Sequence, residues 1–349
     1  MGKGKVLIAL SGGVDSSVAA EILINRGYTC FGMTMLLHER SDSKANIEIN
    51  DAREVANTLG IPFMTFDFRK EFKEKVVNQF VNAYLDGITP NPCVECNKFL
   101  KFGLLYDKAF ELGFDYVATG HYAKIISDDG RHYLAEADNK RKDQSYFLYN
   151  VTEEILGRTI FPLGDMDKEE VRSIARKYHL PTAEKDESQD ICFVPSGDYA
   201  SLIREKTDIE IPRGDFIGPN EEVLGKHKGI IHYTVGQRKG LGISYKEPLY
   251  VKKISAIDNK VYLDTMDQIF KEEISVKEIN WINGIPENEI NCYVRTRYHQ
   301  KLQKCRLELK GDNLAIVRFD QMQKSVTPGQ SAVFYRDDGT VIGGGIICS

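Results

Sequence analysis

Apolar and polar positions alternate in two different ways along this chain, and the change falls near residue 200. Before it, short apolar runs alternate with segments of helical period. KVLIAL leads into SSVAAEILINRG, and TCFGMTMLL leads into the polar, helix-like DAREVANTLG and then IPFMTFDF. The amphipathic FKEKVVNQFVNAYLDG is followed by TPNPCVECNKFLKFGLLYDKAFELG, and DYVATGHYA and EEVRSIARKYHL complete the series. Strands separated by helices predict an α/β fold, a parallel sheet covered on both faces. Ligands of such sheets bind beyond the carboxyl ends of the strands. After residue 200 the apolar runs are short and β-like: GIIHYTV, PLYVKKISAI, KVYLDT, NCYVRTRY, CRLELK, LAIVRF and SAVFYR, divided by Gly, Asp, Asn and Pro. The pattern predicts a parallel-sheet domain over 1–204, a small β-rich domain over 205–272 and a C-terminal β-barrel over 273–349.

Two turns stand out against this frame. The first is Ser11-Gly12-Gly13-Val14-Asp15-Ser16, directly after a buried strand and directly before a helix. Glycines let the backbone approach closely, successive N–H groups form an anion nest, and the helix start adds partial positive charge. The spacing fits neither G-x-x-x-x-G-K-[ST] nor G-x-G-x-x-G. Hydroxyls and amides here can grip a pyrophosphate, and a carboxylate can hold Mg²⁺ beside it. The plain structural alternative is a tight turn with a serine cap.

The second is Asn91-Pro92-Cys93-Val94-Glu95-Cys96. Asn suits the N-cap and Pro the first helical position. Cys93 and Cys96 then share one face of a first turn, where the positive helix end is expected to lower a thiol pKa, with Lys98 and Lys101 adding to it. A structural zinc site would want four ligands, and no second C-x-x-C exists. Cys192 lies far away in SQDICFVPSG, where Ile-Cys-Phe-Val reads as buried core.

Composition narrows the picture only modestly. The chain has 349 residues, 42% hydrophobic and 28% charged, as in ordinary globular proteins. No apolar run reaches the roughly 18 residues of a membrane span. MGKGKVLIAL is too short for an export signal, so a cytoplasmic protein is expected. Seven cysteines in such a chain are no disulfide framework. Cys30, Cys292, Cys305 and Cys348 are expected to be reduced and mostly buried. The net charge of −5 argues weakly against a nucleic-acid binder, but its distribution matters more. Between Leu224 and Lys246 there are Lys226, Lys228, Arg238, Lys239 and Lys246, with no Asp or Glu. Between Arg295 and Lys310 there are Arg295, Arg297, Lys301, Lys304, Arg306 and Lys310, against Glu308 alone. Such patches suit phosphate contacts, although alternating cations on an edge strand also discourage aggregation. Gly236–Gly242 reads as an RNA or domain-contact loop. His38, His132, His179 and His299 have no metal spacing.

The opening turn resembles the signature of the PP-loop ATP pyrophosphatases, which split ATP to AMP and pyrophosphate. SGGVDS, NPCVECNKFLKFG, ATGHYA, KDQSYFLY, SQDICF, YTVGQRKGLGI, TRYHQ, TPGQSAVFY and GGGII recur in the order found in tRNA-specific 2-thiouridylases, and the match spans essentially the whole chain. The resemblance implies that ATP and Mg²⁺ serve to adenylate O2 of the wobble uridine of tRNA before sulfur replaces it. It implies that Ala9, Leu10, Ser11, Gly12, Gly13, Val14, Asp15, Ser16, Met35 and Gly120 hold ATP. Cys96 would be the nucleophile and Cys192 the persulfide carrier. Asn91, Pro92 and Cys93 would lie against the target base, and His121, Lys142, Asp143, Gln144, Arg297, Tyr298 and Gln330 would contact tRNA. The expected partners are tRNAs for Lys, Glu and Gln and a cysteine desulfurase or sulfur-relay protein as donor. Studied members carry Asp where this chain has Cys93. Three thiolates, Cys93, Cys96 and Cys192, could instead hold a 4Fe–4S cluster, as in related cluster-dependent thiolation enzymes. Two rivals remain at this stage: another PP-loop ligase acting on a small molecule, which needs neither the cysteines nor the basic β domains, and a non-catalytic RNA-binding protein, against which the intact turn counts.

Overall fold

The computed structural model describes residues 3–37, 44–185, 191–194, 197–311 and 313–348. Ser188, Gln189 and Asp190 of the SQDICF motif, and His38, lie outside the described residues.

Five parallel strands form the first sheet: β1 (Lys5–Ala9), β2 (Thr29–Leu36), β3 (Phe63–Asp67), β4 (Tyr116–Thr119) and β7 (Thr159–Ile160), in the order β3-β2-β1-β4-β7. Alternation along β1 explains why both faces are covered. Val6 and Ile8 pack with Leu23, Val55 and Ala56 on one side, while Leu7 packs with Met33, Leu105 and Val117 on the other. Helices α1 (Val14–Asn25) and α2 (Lys44–Thr58) supply the first of these layers. The chain runs outward from β1 to β2 and β3, then returns to β4 on β1's other edge. The gap between β1 and β4 is therefore the switch point at which such sheets bind ligands. Ala9 pairs with both Met33 and Thr119, so the loops leaving β1 and β4 emerge side by side.

A hairpin of β5 (Lys124–Asp128) and β6 (Arg131–Ala135) follows β4. The middle domain is a four-stranded sheet ordered β10-β11-β8-β9, from β8 (Gly214–Ile217), β9 (Val223–His227), β10 (Tyr250–Ser255) and β11 (Lys260–Asp264). Six antiparallel strands then close a barrel: β12 (Phe270–Trp281), β13 (Glu289–Arg295), β14 (Gln303–Leu309), β15 (Leu314–Lys324), β16 (Ser331–Tyr335) and β17 (Val341–Ile347). The barrel packs on the first domain through Val333, Tyr335 and Val341 against Tyr146, Leu148 and Tyr149.

Several expectations are corrected. GIIHYTV is no strand: Ile230–His232 form a 3-10 turn, and its apolar residues are buried because they underlie the middle domain. The hairpin β5–β6 and strand β12, rich in Lys and Glu, gave no apolar run to read. Cys30, Cys292 and Cys305 are buried, but Cys348 is exposed. Among the described residues no helix is long and apolar enough to cross a membrane.

Candidate active site

At the carboxyl end of β1, the Leu10 N–H donates to the Met33 carbonyl at 2.8 Å and sets the direction of the turn. Gly12 adopts φ +70°, and a Cβ there would lie 2.7 Å from the Glu48 carbonyl oxygen, so the turn needs glycine on both counts. The Ser16 hydroxyl closes the loop, accepting from the Ser11 N–H at 3.1 Å and donating to the Gly13 carbonyl at 3.1 Å. The serine cap of an ordinary turn is absent, since Gly13 holds the N-cap position of α1 with no side-chain cap. The first helical bond runs from the Ser17 N–H to the Gly13 carbonyl. The amides of Val14, Asp15 and Ser16 thus precede the helical ladder and can serve an anion. Gly120, leaving β4, presses on this helix start; a Cβ would lie 2.7 Å from Ser16 N. Met35 stands in neighbouring β2. Ala9 to Ser16 and Gly120 therefore lie together at the switch point, with Met35 one strand away.

The turn carries no cation, and sequence reasoning missed where one comes from. Lys168 Nζ lies 2.7 Å from Asp15 Oδ1, to which the Tyr122 hydroxyl also donates at 2.8 Å. Lys185 Nζ donates to the Gly12 carbonyl at 2.8 Å and to Asp51 Oδ2 at 2.6 Å. Two ammonium groups from distant segments thus flank the anion nest, and no local motif announces them.

The cysteine helix begins at Pro92, as the sequence predicts. Asn91 occupies the N-cap but makes no side-chain cap bond. Cys93 is open to solvent and Cys96 half-buried, yet both thiols are raised above 9.0, first by burial, with Lys101 opposing the rise. The expected lowering by the helix start is overturned because desolvation outweighs it. Cys192 is exposed rather than buried. Its neighbour Phe193 packs edge-on against Phe72 and Phe80, centroids 5.5 and 5.3 Å away, in the apolar cluster that also takes in Cys96. Among the described residues no three His, Cys, Asp or Glu side chains gather as a metal site. Cys93, Cys96 and Cys192 do not stand together as such a group in this structure.

The residues expected to touch tRNA fall into two groups. Lys142 and Gln144 are half-buried, and Gln144 Oε1 accepts from the Tyr122 N–H at 3.0 Å. Tyr298 packs at a tilt against Phe147, centroids 4.4 Å apart. It lines a cavity of about 520 Å³ with Thr89, Arg297, His299 and Gln330. Others face inward. His121 is buried, with Nδ1 2.7 Å from Thr119 Oγ1 and Nε2 3.2 Å from Lys101 Nζ. Asp143 is buried and accepts from the Ala137 and Ser145 amides and from Arg295. Arg297 Nη2 donates to the Val235 and Ser325 carbonyls, and Gln330 Nε2 to the Thr89 and Pro90 carbonyls. The basic patch of the barrel is thinner than its sequence suggests. Arg295 points inward, Arg306 pairs with Glu289, and Lys310 pairs with Glu308. Lys301 and Lys304 stay exposed, as do Lys228, Arg238, Lys239 and Lys246 in the middle domain.

Three family models match in chain order. They are the tRNA methyl transferase HUP domain over residues 4–196, the tRNA methyl transferase PRC-barrel domain over 205–264 and the aminomethyltransferase beta-barrel domain over 271–347. The chain is 44% identical over 98% of its length to the tRNA-specific 2-thiouridylase MnmA of Clostridioides difficile, covering 98% of that protein. It is 46% identical over 98% of its length to the one from Geotalea uraniireducens, covering 94% of it. This chain belongs to the tRNA-specific 2-thiouridylase family. Its opening turn lies within the segment that matches the HUP domain. Among solved structures, the U34-tRNA thiolase NcsA from Methanococcus maripaludis with its [4Fe-4S] cluster aligns at 20% identity and TM-score 0.37, over 60% of this chain and 66% of its own. That superposition is too loose to carry any site or cluster across to this 2-thiouridylase family chain.

Proposed function

We propose that this chain adenylates O2 of the wobble uridine of tRNA with ATP and then replaces that oxygen with sulfur, releasing AMP and pyrophosphate. The observation that carries the reading is the pairing of a switch-point anion nest with a two-cysteine helix in a chain 44% identical to named 2-thiouridylases over nearly its full length. Uracil's carbonyl oxygen is a poor leaving group, and adenylation turns it into part of AMP. The loop amides together with Lys168 and Lys185 would bind the triphosphate, and Asp15 would hold Mg²⁺, which neutralises phosphate charge. A persulfide on Cys192 would attack the activated carbon, and Cys96 would free the sulfur by attacking the S–S bond. Asn91, Pro92 and Cys93 would face the base, which must leave its stack, so an anticodon loop suits it better than a duplex. Lys142, Gln144, Tyr298 and the exposed lysines would meet the RNA backbone. The tRNAs would be those for Lys, Glu and Gln, and the sulfur would come from a cysteine desulfurase or a relay carrier.

The test is nucleoside mass spectrometry of a wobble-uridine tRNA transcript incubated with ATP, Mg²⁺, a persulfide donor and iron-free protein. 2-Thiouridine with matching AMP is expected, and it should vanish in Cys96→Ser and Cys192→Ser. AMP without 2-thiouridine in the wild type would leave adenylation standing and overturn the thiolation. ATP turnover that needs a small acid or amine but no RNA would point to a PP-loop ligase instead.

A further inference from the structure

The two thiols sit on a helix that does not keep α geometry. Pro92–Cys96 are α-helical, Asn97–Leu104 wind as a π-helix, and Leu105–Glu111 return to α. The Leu105 N–H bonds back five residues, to the Leu100 carbonyl. In an α-helix a residue five places on lies about 140° around the axis. In a π ladder, position i+5 comes back over position i, and such turns concentrate at functional sites. Lys101 is five residues after Cys96, so the π turn carries it onto the cysteine face. Gly103 marks the same widened turn, since a Cβ there would meet the Lys98 carbonyl oxygen at 3.0 Å.

What holds Lys101 is chemically unusual. Its Nζ lies 3.2 Å from His121 Nε2, and His121 Nδ1 lies 2.7 Å from Thr119 Oγ1. An ammonium can only donate, so Nε2 accepts and the ring proton sits on Nδ1, donated to Thr119. Burial, with Lys101 second, keeps this histidine neutral. Lys101 is therefore fixed by an uncharged partner and keeps its full field. Lys168 and Lys185 lie against carboxylates instead. Lys98, the other lysine near the thiols in sequence, is exposed over the Phe99 ring at 5.1 Å. Lys101 is also the cation whose field reaches both Cys93 and Cys96.

We propose that Lys101 is the charge-stabilising group of the sulfur-release step, set in register by the π turn and in orientation by His121. The proposal rests on the reading that Cys96 frees the sulfur. In that step the Cys96 thiolate attacks Cys192 Sγ. The bond from Cys192 Sγ to the transferred sulfur breaks, and its electron pair leaves with 2-thiouracil, whose N3 takes a proton from water. A Cys96–Cys192 disulfide remains, which an external thiol reduces with two electrons. Negative charge thus starts on Cys96 and ends on the base, and a fixed ammonium whose field reaches Cys96 would favour the attacking thiolate without reorganising.

The test compares Lys101→Met, Lys101→Gln and Lys101→Arg in the full-length chain. AMP release and 2-thiouridine are measured in the same single-turnover reaction, with enzyme in excess over tRNA, so that slowed sulfur release does not hold back the AMP formed before it. In both neutral variants, AMP release should stay within about twofold of wild type while 2-thiouridine formation falls at least about tenfold, and Lys101→Arg should recover most of it. A second arm needs no tRNA: iodoacetamide labelling of Cys96 at about pH 8, followed by mass spectrometry. It should slow about tenfold in the neutral variants and stay near wild type in Lys101→Arg. Wild-type thiolation by a folded neutral variant would overturn the proposal, as would an arginine variant as impaired as methionine in both arms. If the wild type itself makes no 2-thiouridine, the parent reading falls, while the labelling arm still decides whether Lys101 supports the Cys96 thiolate.

Discussion

Arg295 offers the sharpest check on the picture of a barrel bolted to the PP-loop domain. The sequence places it in a basic patch; the structure turns it inward, 6% exposed. Nη1 donates to Asp143 Oδ2 at 2.9 Å and Nη2 to Glu136 Oε1 at 2.8 Å, and the guanidinium lies 5.2 Å from the Tyr335 ring centroid. Replacing it by Met keeps most of the stem and removes the cation from two buried carboxylates. Breaking such a group by deleting one partner costs about 3–5 kcal/mol. The lower end applies here. Asp143 still accepts from Ala137, Ser145 N–H and the Ser145 hydroxyl, and Glu136 retains Lys140 at 3.1 Å. Set against the unfolding entropy of a 349-residue chain, a loss of about 3 kcal/mol corresponds to a fall in Tm of roughly 4 °C.

Circular dichroism melts of Arg295→Met, Asp143→Asn and the double variant would measure this. The two residues touch, so the cycle should show a coupling of about 1 kcal/mol or more. The same variants should leave the slope of log K for tRNA against log salt unchanged, because an inward arginine neutralises no phosphate. A true phosphate contact would lower that slope by about one unit. A melt within about 1 kcal/mol of wild type together with a shallower salt slope would refute the inward reading.

Gly120→Ala should weaken ATP binding in a folded protein, since its Cβ would lie 2.7 Å from Ser16 N and 2.8 Å from the Asp15 carbonyl carbon; titration calorimetry with ATP reads this, and an unchanged Kd would show that the loop can yield. His121 is held neutral well below its ordinary 6.5, first by burial and then by Lys101. The unfolded chain takes up that proton near 6.5 and the folded chain does not, so stability is lost as pH falls through this region. Urea midpoints at pH 7 and about pH 5 should therefore drop more in wild type than in His121→Gln, and equal drops would refute the assignment.

What the sequence could show was local. SGGVDS works through glycine conformation and helix-start amides, both written into adjacent residues, and strand alternation in VLIA fixes which faces are covered. Direction was not legible. Counting charge between Arg295 and Lys310 cannot tell that β13 turns Arg295 toward Asp143, or that Arg297 donates to the carbonyls of Val235 and Ser325. The ICFV run was read as core; Phe193 and Val194 are core, but the turn leaves Cys192 outside. Lys168 and Lys185 were invisible because they meet the loop only through the fold, and the π turn because no residue type encodes it.

The barrel's grip explains why the thiol helix and the nucleotide loop belong to one enzyme. Gln330 holds the Thr89 and Pro90 carbonyls at 3.0 and 3.2 Å, and the Thr89 N–H donates to the Pro328 carbonyl at 3.2 Å, so the barrel fixes the segment leading into Pro92. Through Arg295 and Asp143 it also fixes the segment ending at Gln144. Gln144 bonds the Tyr122 backbone on both its N–H and its carbonyl, and the Tyr122 hydroxyl reaches Asp15. Both halves of the site are thus referenced to the same six strands. An RNA seated across the barrel and Tyr298 would meet the cysteine helix and the opening turn at a spacing that neither half could set alone. A displacement of about 1 Å costs reactions of this kind orders of magnitude. On this argument Asp143 and Gln330, which the family resemblance would set against tRNA, would act by holding the frame to which an RNA is fitted.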